Sequence, residues 1–317
     1  MQRDTSVRVC VADILIEFQA VGCQFSDTDF QGFGMSAITP SQRLAREETV
    51  TVSVRPGKDI APAEDEVAHF MSPDGGHRWL LQHLRDGTEV VTAWFDGGDT
   101  SAAQIRFSGS QGELAVEQRG LSEAPQIDPF VFPLFNIFLS RILLGRGGFL
   151  IHSSVVCTGV RKGLLFTAPS GTGKSTIARL FGERCRSIVI NDDMVAVRPP
   201  QPGRATPRAF SIPMRHYRQK PSSSAVNAVF LLHQSAENDA QRIASPAVAV
   251  ASVMANVVQQ PLDAASVTKL TQNIWQCIGH IPTYNLGFER SGSVVGLLRD
   301  LMKENAMAKR RRCHAAS

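Results

Sequence analysis

The chain has 317 residues, 43% of them hydrophobic and 20% charged, with a net charge of +4. Those values fit an ordinary globular protein of one large domain or, better, two, and no apolar run reaches the roughly 18 residues that a membrane-spanning helix needs. The six cysteines at 10, 23, 157, 185, 277 and 313 form no CxxC pair or metal-like cluster, and the N-terminal Met1-Gln-Arg-Asp-Thr-Ser6 lacks a signal-peptide pattern. Reduced thiols in a cytoplasmic protein are the expectation, with no membrane partner.

Residues 1–124 read as a β-rich domain with a role in substrate docking. Strand-type runs fall at 7–18, 50–54, 90–95 and 104–107, and Gly109-Ser-Gln-Gly112 reads as the turn of a hairpin joining 105–107 to 114–116. The segment 79–84 fits a strand or a short helix, and the polar, glycine-containing 24–42 fits a loop. His69, His77 and His83 are not at metal-ligand spacing on one face and read as surface histidines.

Residues 125–148 form the connection. Asp128 is placed as a helix N-cap with Pro129 at the first helical position, and the helix is expected to run to 144. Its apolar residues are dense enough to pack against both domains, and Arg146-Gly-Gly148 ends it.

From 149 to 305 strands alternate with helices, so an α/β domain is the class. Strands are expected at 149–156, 163–168, 187–191, 227–233 and 284–288, and helices at 175–184, 246–258, 262–278 and 294–304. The basic end, 306–317, with Lys309-Arg-Arg-Arg312, reads as a solvated, frayed tail, and nucleic acid is not expected as a partner.

The chemistry concentrates between 149 and 197. Ala168-Pro-Ser-Gly-Thr-Gly-Lys-Ser175, followed by Thr176, joins an apolar strand to a helix. That is a phosphate-binding loop with alanine in place of the usual first glycine. Gly171 and Gly173 let backbone N–H groups turn inward around phosphate oxygens, Lys174 supplies a charge to the β- and γ-phosphates, and the Ser175 hydroxyl can ligate Mg²⁺. Asp192-Asp193 follows the strand that ends at Asn191, 18 positions beyond Lys174. Acids there can hold Mg²⁺ or accept the proton of an attacking hydroxyl, and either order of the two roles fits. His152, in an otherwise apolar strand, faces the γ-phosphate if that strand runs beside the loop-bearing one. Residues 194–236 contain no Asp or Glu but carry Arg198, Arg204, Arg208, Arg215, His216, Arg218 and Lys220. Arg208 or Arg215 is the expected contributor to transition-state charge, whereas Arg161 and Lys162, in a hairpin turn, are expected to face solvent.

His152, the hairpin leading to the phosphate loop, and Ile190-Asn-Asp-Asp193 so soon after it resemble the catalytic domain of HPr kinase/phosphorylases, above all the HPr-kinase-related proteins of bacteria. Ile281-Pro-Thr-Tyr-Asn-Leu286 before a helix is similar to the same group. The likeness spans about 127–304 and is specific from 149 to 197. It implies an α+β domain with a mixed sheet, akin to phosphoenolpyruvate carboxykinase, that uses ATP and Mg²⁺. Lys174 and the loop amides would bind phosphate, and Ser175 with Asp193 would bind metal. Asp192 would be the base, with Asp193 as the alternative, and His152 would lie beside them. The family's downstream Glu/Arg/Gly signature has no counterpart, so phosphorylase activity is not expected. The implied acceptor is a serine of a peptide or protein. A small hydroxyl compound such as free serine is the alternative, and a nucleotide-binding regulator without transfer is the rival outside enzymes. Family members are often oligomers, which leaves a homo-oligomer open.

Overall fold

The computed structural model describes residues 6–25, 49–71, 77–97, 100–119, 125–158, 162–185, 187–201, 205–213, 222–258 and 263–315. Most of the loop expected at 24–42 lies outside them, as do Arg161, Arg204, Arg215, His216, Arg218 and Lys220. The chain is mixed α/β, with mixed sheets and, among the described residues, five helices. It divides into two compact units: 1–147 with 211–222 and 259–270, and 148–210 with 223–258 and 271–317.

In the first unit, β1 (Ser6–Val11) and β2 (Ile14–Ala20) form a hairpin whose turn places Ala12 and Asp13 at positive φ. With β4 (Thr49–Pro56), β5 (Glu66–Met71), β6 (His77–Leu84), β7 (Glu89–Phe95), β8 (Thr100–Ser108) and β9 (Gln111–Gln118) they build an eight-stranded sheet ordered β1-β2-β4-β9-β8-β7-β6-β5. A separate pair joins β3 (Gln24–Phe25) to β10 (Gln126–Ile127). Valines at 50, 52 and 54 are fully buried while their neighbours are half-exposed, the period-2 pattern of a sheet with one covered face. The hairpin expected at Gly109 forms β8 and β9, with Gly109 at φ 57°. Segment 79–84 is strand: Trp79, Leu80 and Leu81 pair with Ala93, Thr92 and Val91.

Helix α1 (Leu134–Gly145) starts later than the sequence suggests. Asp128 caps no helix; its carboxylate accepts from the Phe130 N–H at 2.8 Å in a turn. Pro133 is the reason, because a proline disfavours helical backbone in the residue before it, so the helix begins only beyond it. Phe138 of α1 meets Phe107 of β8 edge to face at 5.2 Å between centroids, and Arg141 holds Glu89 with bonds of 2.6 and 2.7 Å.

The second unit carries β11 (Phe149–Cys157), β12 (Gly163–Thr167), β13 (Ile188–Asn191), β14 (Met194–Arg198), β15 (Arg208–Ser211), β16 (Ser223–Gln234), β17 (Asp239–Arg242) and β18 (Thr283–Phe288). Their order is β12-β11-β14-β15-β16-β18-β17, with β13 beside β11, and the added β12–β16 pairing closes five strands into a ring. β12, β16 and β18 run parallel to one another, while β11 is antiparallel to β12 and β14. Register lines up Phe166, Phe230 and Tyr284 across the three parallel strands, and their rings stack at 5.3 Å. Against this ladder lie Ile177 and Phe181 of α2 (Lys174–Cys185) and Leu298 of α5 (Ser293–Ala315).

Helices α3 (Pro246–Met254) and α4 (Ala264–Ile278) fall where 3.6-residue periodicity puts them. α5 continues to Ala315, through the basic run expected to fray. Ala, Met, Lys and Arg are strong helix formers, no Gly or Pro interrupts 297–315, and cations near a helix C-terminus complement its dipole. None of the described helices is long and apolar enough to cross a membrane.

Candidate active site

Parallel strands place their C-terminal ends on one side, and ligands of α/β folds collect there. Here that side carries the glycine-rich loop after β12, the end of β16 at His233 and Gln234, and the end of β18 at Phe288. A cleft of about 390 Å³ opens between Pro169, Ser170, Gly171, Thr172, His233 and Gln234.

The loop has the backbone its glycines permit. Gly171 sits at φ 77° and Gly173 at φ 120°, and both values strain any residue with a Cβ. Ala168 is not among the positive-φ residues, so alanine replaces the usual glycine there without backbone cost. Ala168 is buried while Pro169, Ser170 and Gly171 are exposed. The Thr172 hydroxyl closes the loop on Pro169 O at 2.9 Å, and α2 opens with the Ile177 N–H donating to Gly173 O at 3.0 Å. Ser175 is exposed and Thr176 half-buried on the first turn.

The Lys174 ammonium donates to Ala168 O at 2.8 Å and to Pro169 O at 3.0 Å. Any anion that reached this lysine would compete with the loop's own carbonyls for it. Burial holds its pKa below the usual lysine value, and the charges of Asp193 and Asp192 act in the opposite sense. The acid pair and the loop lysine thus share one electrostatic site.

β11 positions the acids. It runs antiparallel to β12, with Ser153 opposite Thr167, so His152 lies beside the loop-bearing strand. His152 and Ser154 are two apart and share one face of β11. His152 Nε2 lies 3.3 Å from Asp193 Oδ1, and the Ser154 hydroxyl donates to Asp192 Oδ1 at 2.6 Å. The Thr167 hydroxyl fixes His152 O at 2.9 Å, and the Ser153 N–H donates to Asp193 O at 3.0 Å. Asn191 shapes the turn that presents the acids, accepting from the Asp192 N–H at 2.8 Å and donating to Met194 O at 2.7 Å. Burial lowers the His152 pKa, aided by the Lys174 charge and opposed by Asp193.

That shift has a testable sign. A histidine whose folded pKa lies below its unfolded value costs stability as pH falls through the ordinary histidine range. His152→Gln removes that cost. Relative to the parent, the metal-free variant should gain stability from about pH 8 to about pH 5. Urea unfolding at each pH measures it, and a difference that stays constant over the range would refute the shift.

Not every expected residue gathers here. Arg208 pairs with Ala225, whereas Thr167 at the loop end pairs with Leu231, six residues along β16 (231 minus 225). That is roughly 20 Å of extended strand. Arg208 bonds Ser223 and lies over the Phe210 ring at 5.8 Å. Arg215 is outside the described residues. Sequence reading overlooked Arg290, whose guanidinium donates to Gly171 O at 3.2 Å, and Gln234, which donates to the same oxygen at 3.4 Å. It also overlooked Ser154. The signals existed: strands ending beside the loop deliver Gln234 and Arg290, and Ser154 is two residues from His152.

Mg²⁺ binds through one or two carboxylates plus water and phosphate oxygens rather than an all-protein cage. Two adjacent carboxylates by the loop and an exposed Ser175 hydroxyl fit that requirement. No cluster of three or more His, Cys, Asp or Glu suited to a metal occurs among the described residues. Compared with models of known protein families and with curated proteins, the chain matches none.

Proposed function

We propose that this protein is an ATP- and Mg²⁺-dependent kinase of the HPr-kinase-related type, with the phosphoenolpyruvate carboxykinase-like arrangement of its second unit. It moves the γ-phosphoryl group to a hydroxyl, a serine of a peptide or protein. The observation that carries this reading is the shared face of β11, from which Ser154 and His152 hold Asp192 and Asp193 in the field of Lys174.

In the proposed reaction the bond from γ-phosphorus to the β–γ bridging oxygen breaks and a bond to the acceptor oxygen forms. The acceptor proton passes to Asp192, whose orientation Ser154 fixes, and ADP leaves. Lys174 and the loop amides of 170–174 hold the β- and γ-phosphates, and Arg290 adds positive charge at the loop rim. Mg²⁺, held by Asp193 and Ser175, would supply charge neutralisation at the phosphates.

Incubation with γ-labelled ATP, Mg²⁺ and lysate from the protein's own source tests the reading. Label on a peptide or protein supports it, and label on a small compound alone moves the acceptor to the small-molecule class. Nucleotide binding without transfer to any acceptor would leave a regulator instead. Within this reading Ser154→Ala should lower transfer about tenfold, a value in line with one hydrogen bond to a charged group. Nucleotide binding should stay unchanged, and Ser154→Thr, which keeps the hydroxyl, should recover part of the rate. Equal rates for all three proteins would remove Ser154 from the site.

A further inference from the structure

A second cavity, of about 530 Å³, lies at the end of α2 away from the phosphate loop. The helix α2 has twelve residues, so its two ends are about 18 Å apart at 1.5 Å per residue. Lys162 before β12, Arg184 at the end of α2, and Arg299 and Lys303 one turn apart on α5 line this cavity. No Asp or Glu is among its lining residues.

Lys303 is paired with Asp300 at 2.7 Å. Lys162, Arg184 and Arg299 have no ion pair among the described residues. The Arg184 guanidinium lies over Gly292, whose missing side chain leaves it that space. Asp300, bonded to Lys303, also lies in the field of Arg299. The four cations around one concavity outnumber that single carboxylate, which raises the positive potential and favours an anionic occupant. Ser187, on the same wall, has a buried hydroxyl with no hydrogen-bond partner among the described residues, which is uncommon in native proteins. The cavity is apolar as well, with Leu164, Phe181, Leu298 and Met302 among its lining residues. A bare inorganic anion would leave that surface uncovered.

We propose that this cavity binds a small phosphomonoester, its phosphate held by Lys162, Arg184 and Arg299 and its carbon body laid on Leu164, Phe181 and Leu298. A phosphomonoester carries close to two negative charges at neutral pH, which three cations offset. The cavity's volume is within the range of small-molecule sites. The site is separate from the phosphate loop and independent of phosphotransfer.

Isothermal titration of the full chain with phenyl phosphate tests it, with phenol and inorganic phosphate as matched probes. Phenyl phosphate should bind the parent and Lys174→Ala within about twofold of each other, more tightly than inorganic phosphate, and phenol should not bind. Arg184→Gln/Arg299→Gln should weaken binding about tenfold or more, as expected when charge-assisted bonds are lost. Lys162→Gln, a change at an exposed position just before β12, should weaken it several-fold and decides the matter if the double variant misfolds. Absence of phenyl phosphate binding to the parent, its loss in Lys174→Ala, or unchanged affinity in the cavity variants would each overturn the proposal.

Discussion

Asp192→Asn is expected to slow phosphotransfer by about 10²–10⁴-fold, the usual worth of a positioned general base, while nucleotide binding stays near the parent value. The two effects separate because Asp192 does not hold the nucleotide in this scheme. Asparagine has nearly the shape of aspartate, and its amide oxygen can still accept the Ser154 hydroxyl that now reaches Asp192 Oδ1 at 2.6 Å. The turn should therefore survive, since Asn191 builds it through the backbone of Asp192 and Met194. What is lost is a group that can take a proton. Asp193→Asn should differ in kind, removing the ion-pair partner of His152 and the carboxylate proposed to hold metal, so that more Mg²⁺ is needed to reach half-maximal rate. Single-turnover transfer rates and nucleotide titrations on both variants make the comparison. If Asp192→Asn transfers within about tenfold of the parent while Asp193→Asn does not, the roles of the two acids are reversed. If neither variant slows transfer, the acid pair is not catalytic.

The parts of this site that depend on local sequence were legible, and those that depend on register were not. A strand, a glycine-rich turn and a helix in succession announce themselves by residue type, and 163–191 holds all three. The acids could be found because a carboxylate pair after an apolar strand is conspicuous. Ser154 was not, because one serine among apolar residues gives no local sign that a carboxylate 38 positions away will meet it. Arg290 lay hidden for the same reason, since its neighbour Gly171 is 119 residues distant. Arg208 shows the converse error. Its charge and its place in an acid-free stretch suggested the site, but the pairing of β15 with β16 takes it up the strand from the loop. Helix ends failed where one residue outweighed a pattern. Asp128-Pro129 has the form of a helix start, and Pro133 overrides it. Strand type was decided by pairing at 79–84, where propensity alone left two answers.

Gly173→Ala should abolish nucleotide binding and also destabilise the fold, two losses from one methyl group. At φ 120° alanine is strained wherever it sits, a cost of order 1–3 kcal/mol. Space makes it worse, because the added Cβ would lie 2.9 Å from Cε1 of Phe288, a ring buried at the end of β18. The loop must then shift at the residue where its backbone turns into α2, which moves the amides proposed to hold phosphate. Two other glycines serve as controls, one lacking the close contact and the other lacking both the contact and the positive φ. Gly171→Ala carries positive φ but meets nothing within 4 Å, so backbone strain acts there alone. Gly182→Ala lies inside α2 at ordinary helical φ with open space around it, and should stabilise the protein by about 0.4–1 kcal/mol through the unfolded chain. Thermal unfolding with and without ATP and Mg²⁺ reads all three. At a ligand concentration about 100 times its dissociation constant, the parent gains about 2.7 kcal/mol from binding. Gly182→Ala should keep that gain, Gly171→Ala should lose part of it, and Gly173→Ala should show none. If Gly173→Ala were stabilised by ATP as strongly as the parent, the loop would not be where the phosphates sit, and the kinase reading would fall with it.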